Sequence, residues 1–122
     1  MTCDIFVFAS NLAGLHHGGS AREAVEKHGA EMGCAVGLTG NSYAIPTLDQ
    51  DFEQLPLDVI RGYVDGFLKF AKANRDMRFK IVAIGCGIAG FRPEQIAPMF
   101  ENAPNNCVLP LEFILTGTGE KE

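Results

Sequence analysis

The sequence has no apolar stretch long enough to cross a membrane and no close pair of cysteines. Its apolar stretches, such as residues 5–9, are far shorter than the roughly 20 residues that a membrane-spanning helix needs. The cysteines stand singly, without the spacing of a zinc site or the density of a disulfide framework. They are Cys3, Cys34, Cys86 and Cys107. We therefore expect no membrane partner, reduced thiols and no bound metal.

Clustered basic residues are also missing. The chain has 10 lysines and arginines against 15 aspartates and glutamates, for a net charge of -5 at pH 7. General binding of DNA or RNA requires clustered basic side chains that displace counterions, so we expect no extended nucleic acid as a partner. A small anion is still allowed, because helix N-termini and backbone amides hold phosphate without basic side chains.

The chain has no internal repeat, linker or low-complexity block, and its 122 residues match the usual size of one domain. We expect a single domain over residues 1–122, with a flexible tail at residues 115–122. The N-terminal residues lack the basic start and apolar run of a signal peptide, since Asp4 lies beside the first apolar residues. This predicts a cytoplasmic location, whereas the oligomeric state is left open.

The first part of the chain predicts a strand, a glycine-rich loop and a helix. Residues 5–9 are apolar and rich in β-forming types, which favours a strand covered on both faces. Beyond a loop at residues 12–19, Ser20 and Glu23 have the spacing of a capping box. This spacing predicts a helix that begins there and runs to about Met32.

The middle of the chain predicts two short strands and a long helix. Glycines set off strands around residues 34–38 and 42–45, the second of which is closed by Pro46. Apolar residues then recur at helical spacing over residues 57–71, after a proline, Pro56, that suits a first helical turn. We expect this amphipathic helix to pack its apolar face on a sheet.

The last part of the chain predicts a buried strand over residues 79–84, followed by a glycine-rich segment at residues 85–91. A short helix is expected from Pro93 to about Phe100, and a last strand over residues 107–115. Strands that alternate with helices indicate an α/β fold, with a mixed, mostly parallel sheet between helices on both faces. Ligands bind such sheets beyond the carboxyl ends of the strands, where both glycine-rich segments begin.

The segment at residues 85–90 fits the Gly-x-Gly-x-x-Gly pattern of dinucleotide-binding folds. That pattern normally belongs to the first strand and helix of a domain, whereas here it lies near the end. One alternative is still an NAD-binding protein of another α/β type, in which this loop alone binds the dinucleotide. A tight turn that needs glycine for structural reasons is another.

Three motifs together resemble the macrodomain family. Val-Phe-Ala-Ser-Asn at residues 7–11, with His-Gly-Gly-Ser-Ala at residues 17–21, resembles its first signature, and Ile-Gly-Cys-Gly-Ile at residues 84–88 resembles its second. Tyr-Ala-Ile-Pro-Thr at residues 43–47 is similar to the middle strand of the branch that contains the terminal ADP-ribose glycohydrolases. The order of elements agrees over roughly residues 4–101. The resemblance implies a three-layer macrodomain-like fold that binds ADP-ribose or a related nucleotide, with no separate cofactor.

Carried over by position, the resemblance implies that Asn11 contacts the distal ribose and that Phe91 covers it. Backbone amides of the later loop would hold the diphosphate, since glycines let the backbone approach an oxyanion closely. The alternative for Asn11 is a side chain that caps its own loop. The implied ligand-binding residues are Ser10, Asn11, Gly18, Gly19, Ser20, Thr47, Gly85, Cys86, Gly87, Ile88, Ala89, Gly90 and Phe91.

The sequence departs from the family at its catalytic positions. The glycohydrolase branch has a lysine and an aspartate where this chain has Leu48 and Ala89, and neither can act as a nucleophile or base. The aspartate that other macrodomains use in the first loop is also absent near Ala21 and Arg22. Asp4 does not match the family's adenine-binding aspartate, which leaves adenine selectivity open.

A hydrolase that acts on ADP-ribose derivatives with non-standard residues is therefore an alternative to a binding protein. In that alternative Asn11 and His17 would be the catalytic residues, because a histidine titrates close to neutral pH. His16, Glu23 and Asp49 are expected near the same cleft.

Overall fold

The computed structural model describes residues 3–16, 18–87 and 89–119. Within these residues the strands are β1 (Cys3–Asn11), β2 (Gly37–Thr39), β3 (Ser42–Leu48), β4 (Met77–Ile81) and β5 (Cys107–Val108). The helices are α1 (Gly19–Lys27), α2 (Leu57–Ala73), α3 (Pro93–Ile96), which continues as a 3₁₀ turn (Ala97–Phe100), and α4 (Leu111–Gly119). None of these helices is both long and apolar enough to cross a membrane.

The strands form one sheet in the order β2-β3-β1-β4-β5. The central strand β1 pairs in parallel with β3 and β4, β4 pairs in parallel with β5, and the edge strand β2 is antiparallel to β3. The sheet is therefore mixed and mostly parallel. This confirms the α/β class that the alternating pattern predicts.

Helices cover both faces of the sheet because the strand residues alternate. Neighbouring residues of a strand point to opposite faces, so Val7 and Phe8 belong to different core clusters. The smaller cluster is rich in alanine and packs under α1. The larger cluster contains the apolar face of α2, including Phe67, and rings from the rest of the chain such as Phe79 and Phe100. The amphipathic stripe predicted for residues 57–71 is thus core.

Two predictions for the first half of the chain are wrong. The N-cap residue of α1 is Gly18, which has no side chain to cap the helix, and the Ser20 hydroxyl accepts a hydrogen bond from the N–H of Ala9 instead of forming a capping box. Pro46 lies inside β3 rather than closing it. Because β2 pairs only with residues 42–44 of β3, proline has no partner strand to disrupt on that side.

The predicted last strand is also wrong beyond its first two residues. Pro110 cannot extend a ladder, and its carbonyl accepts hydrogen bonds from the N–H groups of Phe113 and Ile114 as α4 begins. Phe113 is buried, and its ring stacks on Phe100 at 5.5 Å between centroids. Residues 115–119, predicted as part of a tail, belong to this helix, and residues 120–122 lie outside the described part of the chain.

Alanine at Gly62 or Gly66 is expected to stabilise the protein. Both glycines lie on the exposed side of α2, and a Cβ added at either would meet nothing within 4 Å. Each replacement should raise the free energy of unfolding by about 0.5–1 kcal/mol, since glycine loses more backbone entropy in a helix than alanine does. Urea denaturation of both single variants and the double variant measures the gain, and an unchanged or lower value would contradict this account of α2.

Candidate functional site

A cavity of about 640 Å³ opens beyond the carboxyl ends of three adjacent strands. Asn11 at the end of β1, Leu48 at the end of β3 and Val82 just after β4 all line it. This is the position where parallel sheets bind ligands, and the volume lies in the usual range for small-molecule sites.

Both glycine-rich segments line this one cavity. The predicted site residues among its lining are Ser10, Asn11, Gly18, Gly19, Ser20, Thr47, Gly85, Cys86, Gly87 and Ala89. His17 and Ile88, which the sequence also predicts for the site, lie outside the described residues. The two signatures are thus neighbours in space although more than 60 residues separate them in the chain.

The first loop is held by the side chain of Asn11, which is 7% exposed. Its Nδ2 donates to the carbonyl of Leu15 at 2.8 Å, and its Oδ1 accepts from the N–H of Leu15 at 3.1 Å. Asn11 therefore caps its own loop, as one of the two sequence interpretations holds, and it also borders the cavity. The side chain of Ser10 also bonds within the protein, since its hydroxyl donates a hydrogen bond to the carbonyl of Ala35.

The second loop is a tight turn around Gly85, which has a φ of 78°. The N–H of Phe91 donates to the carbonyl of Gly85 at 2.8 Å, and a Cβ on Gly85 would lie 3.2 Å from the Phe91 ring. A side chain at this position would be both strained and crowded. Gln54 fixes the loop further, since its Nε2 donates to the carbonyl of Ala89 at 2.6 Å.

Phe91 and Gly90 require a correction. The sequence assigns both to the ligand, but neither lines the cavity. The Phe91 ring belongs to the larger core cluster and packs beside Gly85. Phe91 therefore packs against the Gly85 turn as part of the core and is not among the residues that line the cavity.

Cys86 lies in the cavity wall as a neutral thiol. Burial raises its pKa, and the carboxylates of Glu112 and Glu94 raise it further by disfavouring a second negative charge. The thiolate is the nucleophilic form of cysteine, so this environment disfavours nucleophilic chemistry at Cys86 near neutral pH.

Three other titratable residues expected near the cleft make their contacts outside the cavity lining. His16 is 1% exposed, its Nε2 is 3.1 Å from the carbonyl of Cys34, and its ring meets Phe8 edge-on. Glu23 faces His28, and Asp49 organises a turn. None of these three residues lines the cavity. Within the described part of the chain, no group of three or more histidine, cysteine, aspartate or glutamate residues is placed to hold a metal ion.

The lining also contains residues that the sequence did not assign to the ligand, namely Ala9, Leu15, Ala21, Leu48, Phe52, Val82, Ala83 and Glu112. Glu112 was assigned to a strand, whereas it lies in the first turn of α4. Phe52 lies in an aspartate-containing turn that sequence can suggest, but only the folded chain brings it to the cavity.

Comparisons with known proteins add no functional evidence for this site. The chain matches no family model, no curated protein and no solved structure. The cavity, its two glycine-rich borders and the residues between them therefore carry the functional argument.

Proposed function

We propose that this protein binds ADP-ribose or a related NAD-derived nucleotide in the cavity, as its resemblance to macrodomains implies. The observation that supports this most is that both glycine-rich segments border one open cavity at the ends of adjacent strands. Two backbone segments that both admit close approach suit a diphosphate with a sugar beside it.

The start of α1 supports an anionic ligand. Gly18, Gly19 and Ser20 border the cavity, the N-cap residue Gly18 has no side chain that could cap the helix, and the first turn has no acidic residue. The N–H groups at a helix start need acceptors and carry a partial positive charge. A phosphate oxygen of the ligand can accept hydrogen bonds from these N–H groups in place of a capping side chain.

The charges around the cavity suggest how the nucleotide lies. Glu112 borders the cavity near Cys86, and a carboxylate there suits ribose hydroxyl groups better than phosphate. In this arrangement the diphosphate lies between α1 and the Gly85 loop, one ribose lies at Asn11, and the other lies near Glu112.

Binding without hydrolysis fits the residues at the family's catalytic positions. Leu48 and Ala89 are both buried and both border the cavity, so the side chains there are aliphatic. General acid–base catalysis needs a group that can transfer a proton at the reacting bond. The hydrolase alternative would depend on His17.

Titration of ADP-ribose in a calorimeter tests the proposal. We expect wild-type protein to bind, and Asn11→Ala to lose about 1–3 kcal/mol of binding free energy, because the backbone of Leu15 loses both partners and the first loop loosens. No heat and no thermal shift at millimolar ADP-ribose would refute the proposed function.

Asn74→Ala is the matched control. Asn74 also holds a backbone carbonyl through its side chain, at the end of α2, where its Nδ2 donates to Phe70 at 2.8 Å. It should lower stability without changing affinity. If Asn11→Ala also left the affinity unchanged, the alternative of an NAD-binding protein that uses the Gly85 loop alone would be favoured.

A further inference from the structure

The turn at residues 49–53 brings an aromatic side chain to the cavity. The N–H of Phe52 donates to the carbonyl of Asp49 at 3.1 Å, and the N–H of Asp49 donates to the carbonyl of Glu53 at 2.8 Å. The carboxylate of Asp49 also accepts from the N–H groups of Asp51 and Glu53. Beyond the turn, Gln54 pairs with Leu48 as in a hairpin.

Phe52 is an unusual residue for its position in this turn. Among the residues that the structure describes, it is the one non-glycine residue with a positive φ, 64°. Hairpin turns of this form place glycine or asparagine there, because a bulky side chain is strained. The ring is 52% exposed, so burial offsets little of that strain. Such strain is found most often at functional sites.

The position of Phe52 relative to the rest of the cavity is defined by the sheet. The strands whose ends form the cavity lie in the order β3-β1-β4. The Gly85 loop follows β4, Asn11 ends β1, and the turn with Phe52 follows β3. Thr47 and Leu48, at the end of β3, border the cavity together with Phe52. The bond from Gln54 to the carbonyl of Ala89 ties the turn to the Gly85 loop.

We infer that Phe52 stacks on a planar aromatic ring attached to the anomeric carbon of the ribose at Asn11. This inference rests on the proposed function, which puts the diphosphate at the Gly85 loop and a ribose at the end of β1. The next group along such a ligand then reaches the β3 side. The preferred ligand is an intact pyridine dinucleotide rather than free ADP-ribose, since a pyridinium ring is both planar and cationic and suits an aromatic face.

Calorimetric titration of NAD and of ADP-ribose tests the inference. We expect wild-type protein to bind NAD about tenfold more tightly than ADP-ribose, as one stacked ring allows. Phe52→Asn should abolish this preference by weakening NAD alone, and it should not lower the melting temperature, because asparagine tolerates positive φ. Phe52→Tyr should keep the preference. Val59→Ala, at an exposed apolar residue of α2 outside the lining, should change neither affinity.

The following results would contradict the stacking inference or the proposed function. Equal affinity of wild-type protein for the two ligands overturns the stacking inference without any variant, and so does an equal loss of both ligands in Phe52→Asn. Binding of ADP-ribose would then still support the proposed function. If wild-type protein binds neither ligand, the proposed function fails and the inference fails with it.

Discussion

Replacement of Gly87 by aspartate is expected to weaken the binding of ADP-ribose by at least about 100-fold, with little change in stability. Gly87 borders the cavity, its φ is not positive, and a Cβ there would meet nothing within 4 Å. The added carboxylate would therefore extend into open space beside the proposed diphosphate. Like charges brought together at a binding surface cost several kcal/mol, and about 2.7 kcal/mol corresponds to 100-fold.

Two further variants at this position separate charge from size. Gly87→Asn has nearly the same shape as Gly87→Asp without its charge, and it should retain most of the affinity. Gly87→Ala should behave almost as wild type. Titrations at low and high salt should show a smaller penalty for aspartate at high salt, because salt screens exposed charges. Equal losses for aspartate and asparagine would mean that no anion lies beside Gly87.

Replacement of Gly14 by alanine is expected to lower the free energy of unfolding by about 3 kcal/mol, through backbone strain and overlap together. Gly14 has a φ of 72°, and a Cβ on it would lie 2.7 Å from the backbone of Gly33. These segments are also bonded, since the N–H of Gly33 donates to the carbonyl of Gly14. Urea denaturation measures the loss, and the affinity for ADP-ribose should fall because the first loop shifts.

Gly33→Ala is the matched control for this close approach. Gly33 has a φ of 91°, and a Cβ on it would meet nothing within 4 Å. The Gly33→Ala variant should have the backbone strain without the atomic overlap, and it should lose about 1–2 kcal/mol of unfolding free energy. If the two variants lost the same stability, contact between the two segments would not be what requires glycine at Gly14.

Local patterns predicted the elements whose signal is confined to one segment. The helix predicted over residues 57–71 is observed as Leu57–Ala73, because an apolar stripe at helical spacing is a property of the segment itself. The short helix predicted from Pro93 is likewise observed, with its 3₁₀ extension to Phe100. In both cases the observed start agrees with the predicted one.

The wrong predictions concern segments whose structure depends on distant partners. The apolar residues after Pro110 suit a strand as well as a helix. In the helix that forms, the Phe113 ring stacks on Phe100. Pro46 is tolerated in β3 because β2 is too short to pair beside it. The contacts that decide these cases come from other parts of the chain, so a local pattern does not contain them.

The candidate site also has features that the sequence predicts and features that depend on the tertiary structure. The sequence by itself determined the two glycine-rich segments and their place after strands, because backbone freedom and strand composition are local properties. Only the tertiary structure decided that Phe52 and Glu112 border the cavity and that Phe91 is buried in the core. The physical reason is that the order β3-β1-β4 and the packing of α4 bring together residues far apart in the chain, and no single segment encodes that proximity.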